Sequence, residues 1–435
     1  MKQKTMQVFL PYGSGKLAVS LEDSWDVTLI EAGDTPSLPD PLAVVGEALR
    51  RPIAGPSLVE FIGSSRSIGV VINDGTRPTP TRLLLIAILS VLPEVPDEAI
   101  TLFNATGTHR ANTLAELEAT LGAELVGRFR IVQNDARDET SQLYLGDTRR
   151  GHPIWINRRL MECERLILTG FIEPHFFAGF SGGGKAILPG MAGLRSVLAN
   201  HDPAMIADPD ATWGVTRGNP IWEECAEVAE RLGHSFLLNV ALNRDKAIRA
   251  VFAGEPRAAH AVGCAYALDA AMVGVDGLFD IVLTSNSGFP LDQNLYQAVK
   301  GMSAAATVVR TGGAIVIAAE CRDGAPEGSN YLAMLREAGS PEGLLTRLQT
   351  QAETVPDQWQ AQIQAQIQRK AEVHIFSSLA EEVVRQALFQ PVRRIEETLA
   401  GLVARYGPGA RIAVLPEGPQ TIPFNTSSQV SRTSV

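Results

Sequence analysis

Short apolar runs alternating with helical patterns limit this chain's fold more than any other feature of its sequence. Runs near Ser67 to Ile72, Ile100 to Asn104, Phe129 to Gln133 and Arg165 to Thr169 are interleaved with helical patterns near Arg82 to Val91 and Thr113 to Leu121. Such βα alternation predicts a mostly parallel sheet covered by helices on both faces. Thr113 and Glu116 fit a capping box and so mark a helix start. Helical patterns at Leu194 to Asn200, Pro220 to Leu232 and Pro256 to Met272 follow, with a strand near Ser235 to Ala241. In a second block, Asp280 to Thr284 and Ala314 to Ala319 read as buried strands around a helical stretch from Leu295 to Val309. Gln358 to Ala371 and Glu381 to Tyr406 read as helices, and Arg411 to Leu415 as a last strand.

At 435 residues the chain is long enough for two domains, each with its own core. The boundary is expected near residues 270 to 280, where Val273-Gly274-Val275-Asp276-Gly277 breaks a long helix. That gives an α/β domain over 1–275, a second over 276–424 and a flexible polar tail over 425–435. Three short strands, Gln7 to Tyr12, Lys16 to Leu21 and Val27 to Ala32, open the first domain. Each domain should carry a mostly parallel sheet flanked by helices, with the active site in the cleft between them.

A net charge of −10 argues against a nucleic-acid footprint, while leaving room for an anionic small substrate where positive residues converge. Cys163, Cys225, Cys264 and Cys321 are far apart and form no metal-binding or disulfide spacing, which fits a reducing cytoplasm. Met1 to Leu10 has no basic stretch leading into an apolar core, and no run is long enough to cross a membrane, so neither secretion nor a membrane span is expected.

Three apolar runs of the first domain end in polar, turn-rich loops: Asn73 to Thr81, Ala105 to Arg110, and Gly170 to Gly190. In open α/β sheets ligands bind outside the carboxyl ends of the strands, so these loops could line one crevice. The third loop combines His175, the run Gly182-Gly183-Gly184 and Lys185, and reads as a ligand loop because glycine permits close backbone approach. A fourth loop, Ser285 to Asn294, opens the helix carrying Tyr296, Gln297 and Lys300; Tyr296 and Lys300, four apart, share a face.

Taken singly, each residue has an ordinary explanation. Asp74 with Thr76, Pro78 and Pro80 could be a turn and helix cap, and His109 a hydrogen-bonded loop histidine. Tyr296 and Lys300 could form a solvated face, and His201 could sit at a helix C-terminus favoured by the macrodipole. Phe176 and Phe177 read as packing. Gly179 through Lys185 also matches the phosphate-cradling pattern GxxxxGK, but Ala186 replaces the Mg²⁺-binding hydroxyl and Pro189-Gly190 stops a helix within a turn.

The segments Asn73 to Pro80, Thr106 to Arg110, Pro174 to Gly190 and Leu291 to Gly301, in that order, resemble the lactate racemase family of nickel-pincer-nucleotide enzymes. The resemblance implies a racemase or epimerase of a small 2-hydroxy acid, with a pyridinium mononucleotide that binds nickel through sulfur, carbon and sulfur. By that resemblance Lys185 tethers the cofactor, with Asp74, Gly182, Gly183 and Gly184 placed at it, and His201 completes the nickel's coordination. His109 and His175 are the implied acid/base pair, and Arg77, Tyr296, Gln297, Lys300 and Trp359 the implied substrate contacts. The glutamine-rich stretch Gln358 to Gln368 around Trp359 matches less well. Cofactor-synthesis and nickel-insertion proteins are the implied partners.

The chemistry suits these residue types. Removing the α-proton beside a carboxylate is difficult, whereas loss of that hydrogen as hydride, with the hydroxyl proton taken by a base, yields a planar 2-keto acid open on both faces. Two enantiomers then need two bases, and histidine, with an ordinary pKa of about 6.5, can serve as base for one hand and acid for the other. Arg77 and Lys300 would hold the carboxylate, and a neutral imidazole suits a square-planar nickel centre. Epimerisation of a sugar acid, a nicotinamide-linked redox step and a non-catalytic cofactor carrier are the alternatives.

Overall fold

Two units make up the computed structural model, which describes residues 5–33, 36–325 and 329–428. The first unit comprises residues 36–201 and 208–269. Its six-stranded sheet has the spatial order Ile248–Gly254, Ser235–Leu242, Arg165–Phe171, Ile68–Asn73, Ile100–Ala105, Arg130–Gln133. All neighbours are parallel except the outermost pair, Ser235–Leu242 with Ile248–Gly254. The Ile68–Asn73 strand is buried along nearly its whole length, as a central strand covered on both faces must be.

Helix Thr81–Val91 presents Leu84, Leu85, Ile88 and Val91 to one face of this sheet, where they pack in one core with Ile68, Val70 and Ile72. A second, smaller cluster of Ile172, Phe180, Ala241, Phe252, Cys264 and Ala267 forms a further packed core in the same unit. From Ile68–Asn73 the sheet grows outward through Ile100–Ala105 to Arg130–Gln133, then resumes on the other side with Arg165–Phe171. The strand order therefore reverses between Ile68–Asn73 and Arg165–Phe171, the place where the loops leaving two adjacent strands diverge and open a crevice.

The second unit comprises residues 5–33, 202–207 and 270–428. Its sheet, entirely parallel, runs Gln390–Pro391, Ala371–Phe376, Val309–Ala318, Phe279–Ser285, Arg411–Leu415, Asp26–Leu29. The opening strands thus do not belong with the residues that follow them, contrary to the expectation that 1–275 fold together. Asp26–Leu29 is the edge strand beside Arg411–Leu415, and the hairpin Thr5–Tyr12/Gly15–Glu22 packs Val8, Leu10, Val19 and Leu21 against Ile281, Leu283, Val316 and Leu399. Where the long helix was expected to break, Met272–Val275 forms a small parallel pair with Ile422–Asn425. Of the polar tail, residues 425–428 end that strand and form a turn; the rest lies outside the described residues.

Glu381 to Tyr406 is two helices, Glu381–Gln386 and Ile395–Tyr406, separated by Leu388 at φ 64° and the edge strand Gln390–Pro391. Helix Gln358–Lys370 owes its glutamines to tertiary bonding. The buried amides of Gln362 and Gln364 donate to the carbonyls of Pro203 at 2.8 Å and Ala387 at 2.7 Å, and the Tyr331 hydroxyl donates to Gln364. Among the described residues no helix is long and apolar enough to cross a membrane.

Asp292 ties three strands of chain together in this unit. It is fully buried, and its Oδ2 accepts the N–H of Gly13 at 2.7 Å and of Glu320 at 3.0 Å. Asp292→Ala leaves two N–H groups without an acceptor and is expected to lower unfolding free energy by about 2–4 kcal/mol, measured by urea denaturation.

Candidate active site

Asp74 and His109 emerge from neighbouring strands and meet. Beyond the carboxyl end of Ile68–Asn73, the Thr79 hydroxyl donates to Asn73 Oδ1 at 2.7 Å and the Arg77 N–H bonds back to Asp74 O, fixing the turn before the Thr81 helix. Beyond Ile100–Ala105, Gly107 takes φ +57° and donates its N–H to Gly190 O at 3.0 Å, joining this turn to the glycine-rich loop. The buried Asp74 carboxylate accepts from the Thr76 hydroxyl and from His109 Nδ1, both at 2.8 Å. Burial pushes the Asp74 carboxyl up, but the hydrogen bond and charge of His109 and the charge of Arg77 outweigh it and hold the group below the ordinary carboxylate range. An ionised Asp74 keeps the proton on His109 Nδ1 and leaves Nε2 as the acceptor, on a side chain 44% exposed.

The loop after Arg165–Phe171 carries the next group. Pro174–His175 pairs antiparallel with Gly179–Phe180, and within this tight hairpin the Ala178 N–H donates to His175 Nδ1 at 3.2 Å. A backbone N–H can only donate, so in the neutral imidazole the ring proton sits on Nε2, the tautomer opposite to that of His109. The Phe177 ring is the hub of the cluster. Its centroid lies 4.5 Å from the His175 ring and 5.2 Å from the His201 ring, edge-on in both cases, and 5.4 Å from Lys185 Nζ.

His201 is buried and Lys185 half-buried. Burial, with the charge of Arg77 adding to it, pushes the Lys185 amine down to about 8. Burial, then the charge of Lys185, pushes His201 down to about 3, so its imidazole is neutral at physiological pH. His201 caps the C-terminus of helix Leu194–Asn200, as one sequence reading had it, but as a neutral group it gains nothing from the macrodipole. Gly182, Gly183 and Gly184 spend their missing side chains against protein. A Cβ on Gly182 would lie 2.4 Å from Asn239 Oδ1, and one on Gly184 would lie 2.4 Å from the Cys225 carbonyl. Gly183–Ala186 is a single 3₁₀ turn and the next helix starts only at Leu194, so no helix N-terminus faces a phosphate here.

Sequence reading missed Asn219 and Cys225. Asn219 caps helix Pro220–Leu232 through Oδ1 and donates Nδ2 to Phe177 O at 2.9 Å, pinning the hub from outside the loop. The pair Asn219-Pro220 signals a helix start, but nothing in the sequence says which carbonyl the amide reaches. Cys225, on the same helix, supplies the surface on which Gly184 lies.

Tyr296, Gln297, Lys300 and Trp359 belong to the other unit. Asn294 caps helix Leu295–Ala306 by accepting the Gln297 N–H at 3.0 Å. Trp359 Nε1 donates to the Tyr296 hydroxyl at 3.0 Å, and the Tyr296 ring stands edge-on to Tyr331 with centroids 5.6 Å apart. Lys300 lies half-buried one turn beyond Tyr296.

A desolvated amine should titrate early. Labelling of Lys185 by a small amine reagent, followed by mass spectrometry across pH, is expected to rise with a midpoint at about 8, well below the ordinary lysine range. A midpoint equal to that of the exposed lysines would show that the surroundings do not lower the Lys185 pKa.

The lactate racemase N-terminal domain family matches residues 12–214, and the lactate racemase C-terminal domain family matches residues 276–422. A lactate racemase of Thermoanaerobacterium thermosaccharolyticum is 36% identical over 419 residues, covering 95% of this chain and 98% of that protein. One of Lactiplantibacillus plantarum is 36% identical over 379 residues, covering 86% and 89%. The solved structure of the T. thermosaccharolyticum lactate racemase apoprotein superposes with a TM-score of 0.91 at 35% identity, over 97% of this chain and all of that one. A Thermotoga maritima protein, TM-score 0.69 at 20% identity, over 91% of this chain and all of that one, shares the fold. By its sequence along nearly its whole length and by its fold, this chain belongs to the lactate racemase family.

Proposed function

We propose that this chain, an isomerase by its family, racemises a small 2-hydroxy carboxylic acid, lactate or a close relative. The observation that carries the reading is the pair of histidines in opposite tautomers, one bonded to Asp74 and the other beside the Phe177 ring that also touches Lys185 and His201. His109 Nε2 can accept the hydroxyl proton of one enantiomer, becoming imidazolium, and His175 is assigned to the other hand; whichever ring returns a proton to the product must start that turnover as imidazolium and end it neutral. The Asp74 carboxylate keeps the His109 ring oriented and stabilises it once protonated. Arg77 is assigned to the substrate carboxylate, and by the family resemblance Tyr296, Gln297, Lys300 and Trp359 are assigned as further substrate contacts.

The residues fit a nickel-pincer nucleotide. Among the described residues no three metal-ligating side chains cluster, so the protein offers nickel one neutral imidazole, His201, and the remaining donors must come from the organic group. Lys185, with its amine pushed down to about 8, is nucleophilic enough to hold that group covalently. When bound, the group supplies an acceptor for the α-hydrogen as hydride. The reading brings with it a cytoplasmic location and, as partners, proteins that build the cofactor and insert nickel.

Protein produced together with cofactor-synthesis enzymes should show a mass increment on Lys185, bound nickel, and interconversion of D- and L-lactate by chiral chromatography. Active protein with unmodified Lys185 and no nickel would reject the cofactor. His109→Ala and His175→Ala should each lower kcat/KM by about 10²–10⁴-fold while leaving the fold intact. The equilibrium constant between enantiomers is one, so each loss must be equal in both directions. Asp74→Asn should retain substrate binding but lower kcat, since an amide no longer enforces the Nδ1 tautomer of His109.

A further inference from the structure

Helix Pro220–Leu232 holds a buried carboxylate that the acid/base and tether groups do not use. Glu224 is 2% exposed, and three side chains donate to it, two from one turn and one from the end of helix Leu194–Asn200. The Thr148 hydroxyl reaches Oε1 at 2.7 Å, His152 Nδ1 lies 3.0 Å from Oε1 and 3.2 Å from Oε2, and Asn200 Nδ2 reaches Oε2 at 2.8 Å. Burial pushes the Glu224 carboxyl up, but these hydrogen bonds outweigh it and keep the group below the ordinary carboxylate range, so it is ionised.

Asn200 is the last residue of helix Leu194–Asn200, and His201 follows it directly. Its fully buried amide is held on every side by helix Pro220–Leu232: Nδ2 donates to Glu224 and lies 3.5 Å from Ile221 O, while Oδ1 lies 3.9 Å from Cys225 Sγ. With its amide so held, Asn200 anchors its own Cα and the peptide that leads directly to His201. A single imidazole donating to a metal must be held within narrow angular limits, and the groups that orient such a ligand are commonly one bond removed from it.

We propose that Glu224 is a positioning residue for His201, acting through Asn200 to hold the imidazole in the orientation that nickel requires. The proposal rests on the reading of His201 as the nickel ligand. It differs from a purely structural role, in which the carboxylate would only fasten the 148–152 turn to the helix. Thr148 serves as the internal comparison, because it bonds to the same carboxylate with no link to His201.

The test uses protein made with the cofactor-synthesis enzymes, comparing wild type, Glu224→Ala, Glu224→Gln, Asn200→Ala, the double variant Glu224→Ala/Asn200→Ala, and Thr148→Val. Lys185 modification is read by intact mass, and nickel release to EDTA by absorbance and metal analysis. Glu224→Ala and Asn200→Ala should keep the Lys185 increment yet release nickel about tenfold faster or more. The double variant should release it no faster than either single one, and Thr148→Val within about twofold of wild type. Glu224→Gln keeps the volume and, should Glu224→Ala fail to fold, carries the test with an effect in the same direction. Nickel release at the wild-type rate in the Glu224 variants, or additive effects in the double variant, overturns the role of Glu224 alone. Wild-type protein with neither Lys185 increment nor nickel overturns the cofactor reading itself, and this proposal with it.

Discussion

Burial of His201 beside the half-buried Lys185 is the constraint on which the rest of the first unit's cluster depends. Both groups are pushed down by the same surroundings, Lys185 to about 8 and His201 to about 3, and the charge on Lys185 further disfavours a charge on His201. The Phe177 ring contributes to this environment and also touches His175. A polar loop at the carboxyl edge of a sheet does not usually exclude water. Here it does so because a buried helix cap, Asn219, holds the Phe177 carbonyl, and because the glycine turn lies flat on helix Pro220–Leu232.

Asp74 and His109 follow the opposite logic. Their pair combines a fully enclosed carboxylate with an imidazole open to solvent on its other nitrogen, so charge is stored on the inner partner and exchanged on the outer one. The two histidines therefore differ in more than position. One ring is oriented by an anion, the other by a neutral backbone N–H, and their proton-carrying nitrogens are reversed as a result.

Sheet architecture was legible in the sequence because buried parallel strands are written as continuous apolar runs, and the Thr113/Glu116 capping box because both partners lie within one turn. Pairing between distant segments was not. Nothing local to Asp26–Leu29 says that its neighbour is Arg411–Leu415, and nothing in Gln358–Lys370 distinguishes a solvated glutamine from one bonded to the helix Pro203–Ala207, 159 residues before Gln362. The glycine run reads in the sequence as a ligand loop that lets the backbone approach closely; in the structure its missing side chains are matched by Asn239 and Cys225. Asn219 and Glu224 escaped notice for a related reason: on the sequence both are ordinary residues of one amphipathic helix, and only their partners make them informative.

The placement of the first strands beside the last ones has a consequence for biosynthesis. Asp26–Leu29 is made well before the Arg411–Leu415 strand that receives it, with the whole first unit between them in the sequence. The unit of residues 36–201 and 208–269 can close on itself while translation continues, whereas the hairpin carrying Val8, Leu10, Val19 and Leu21 must wait with its apolar face exposed. Completion of the second unit's sheet is thus a long-range event, with a high loop-closure cost to be met before the Asp26–Leu29 edge is paired.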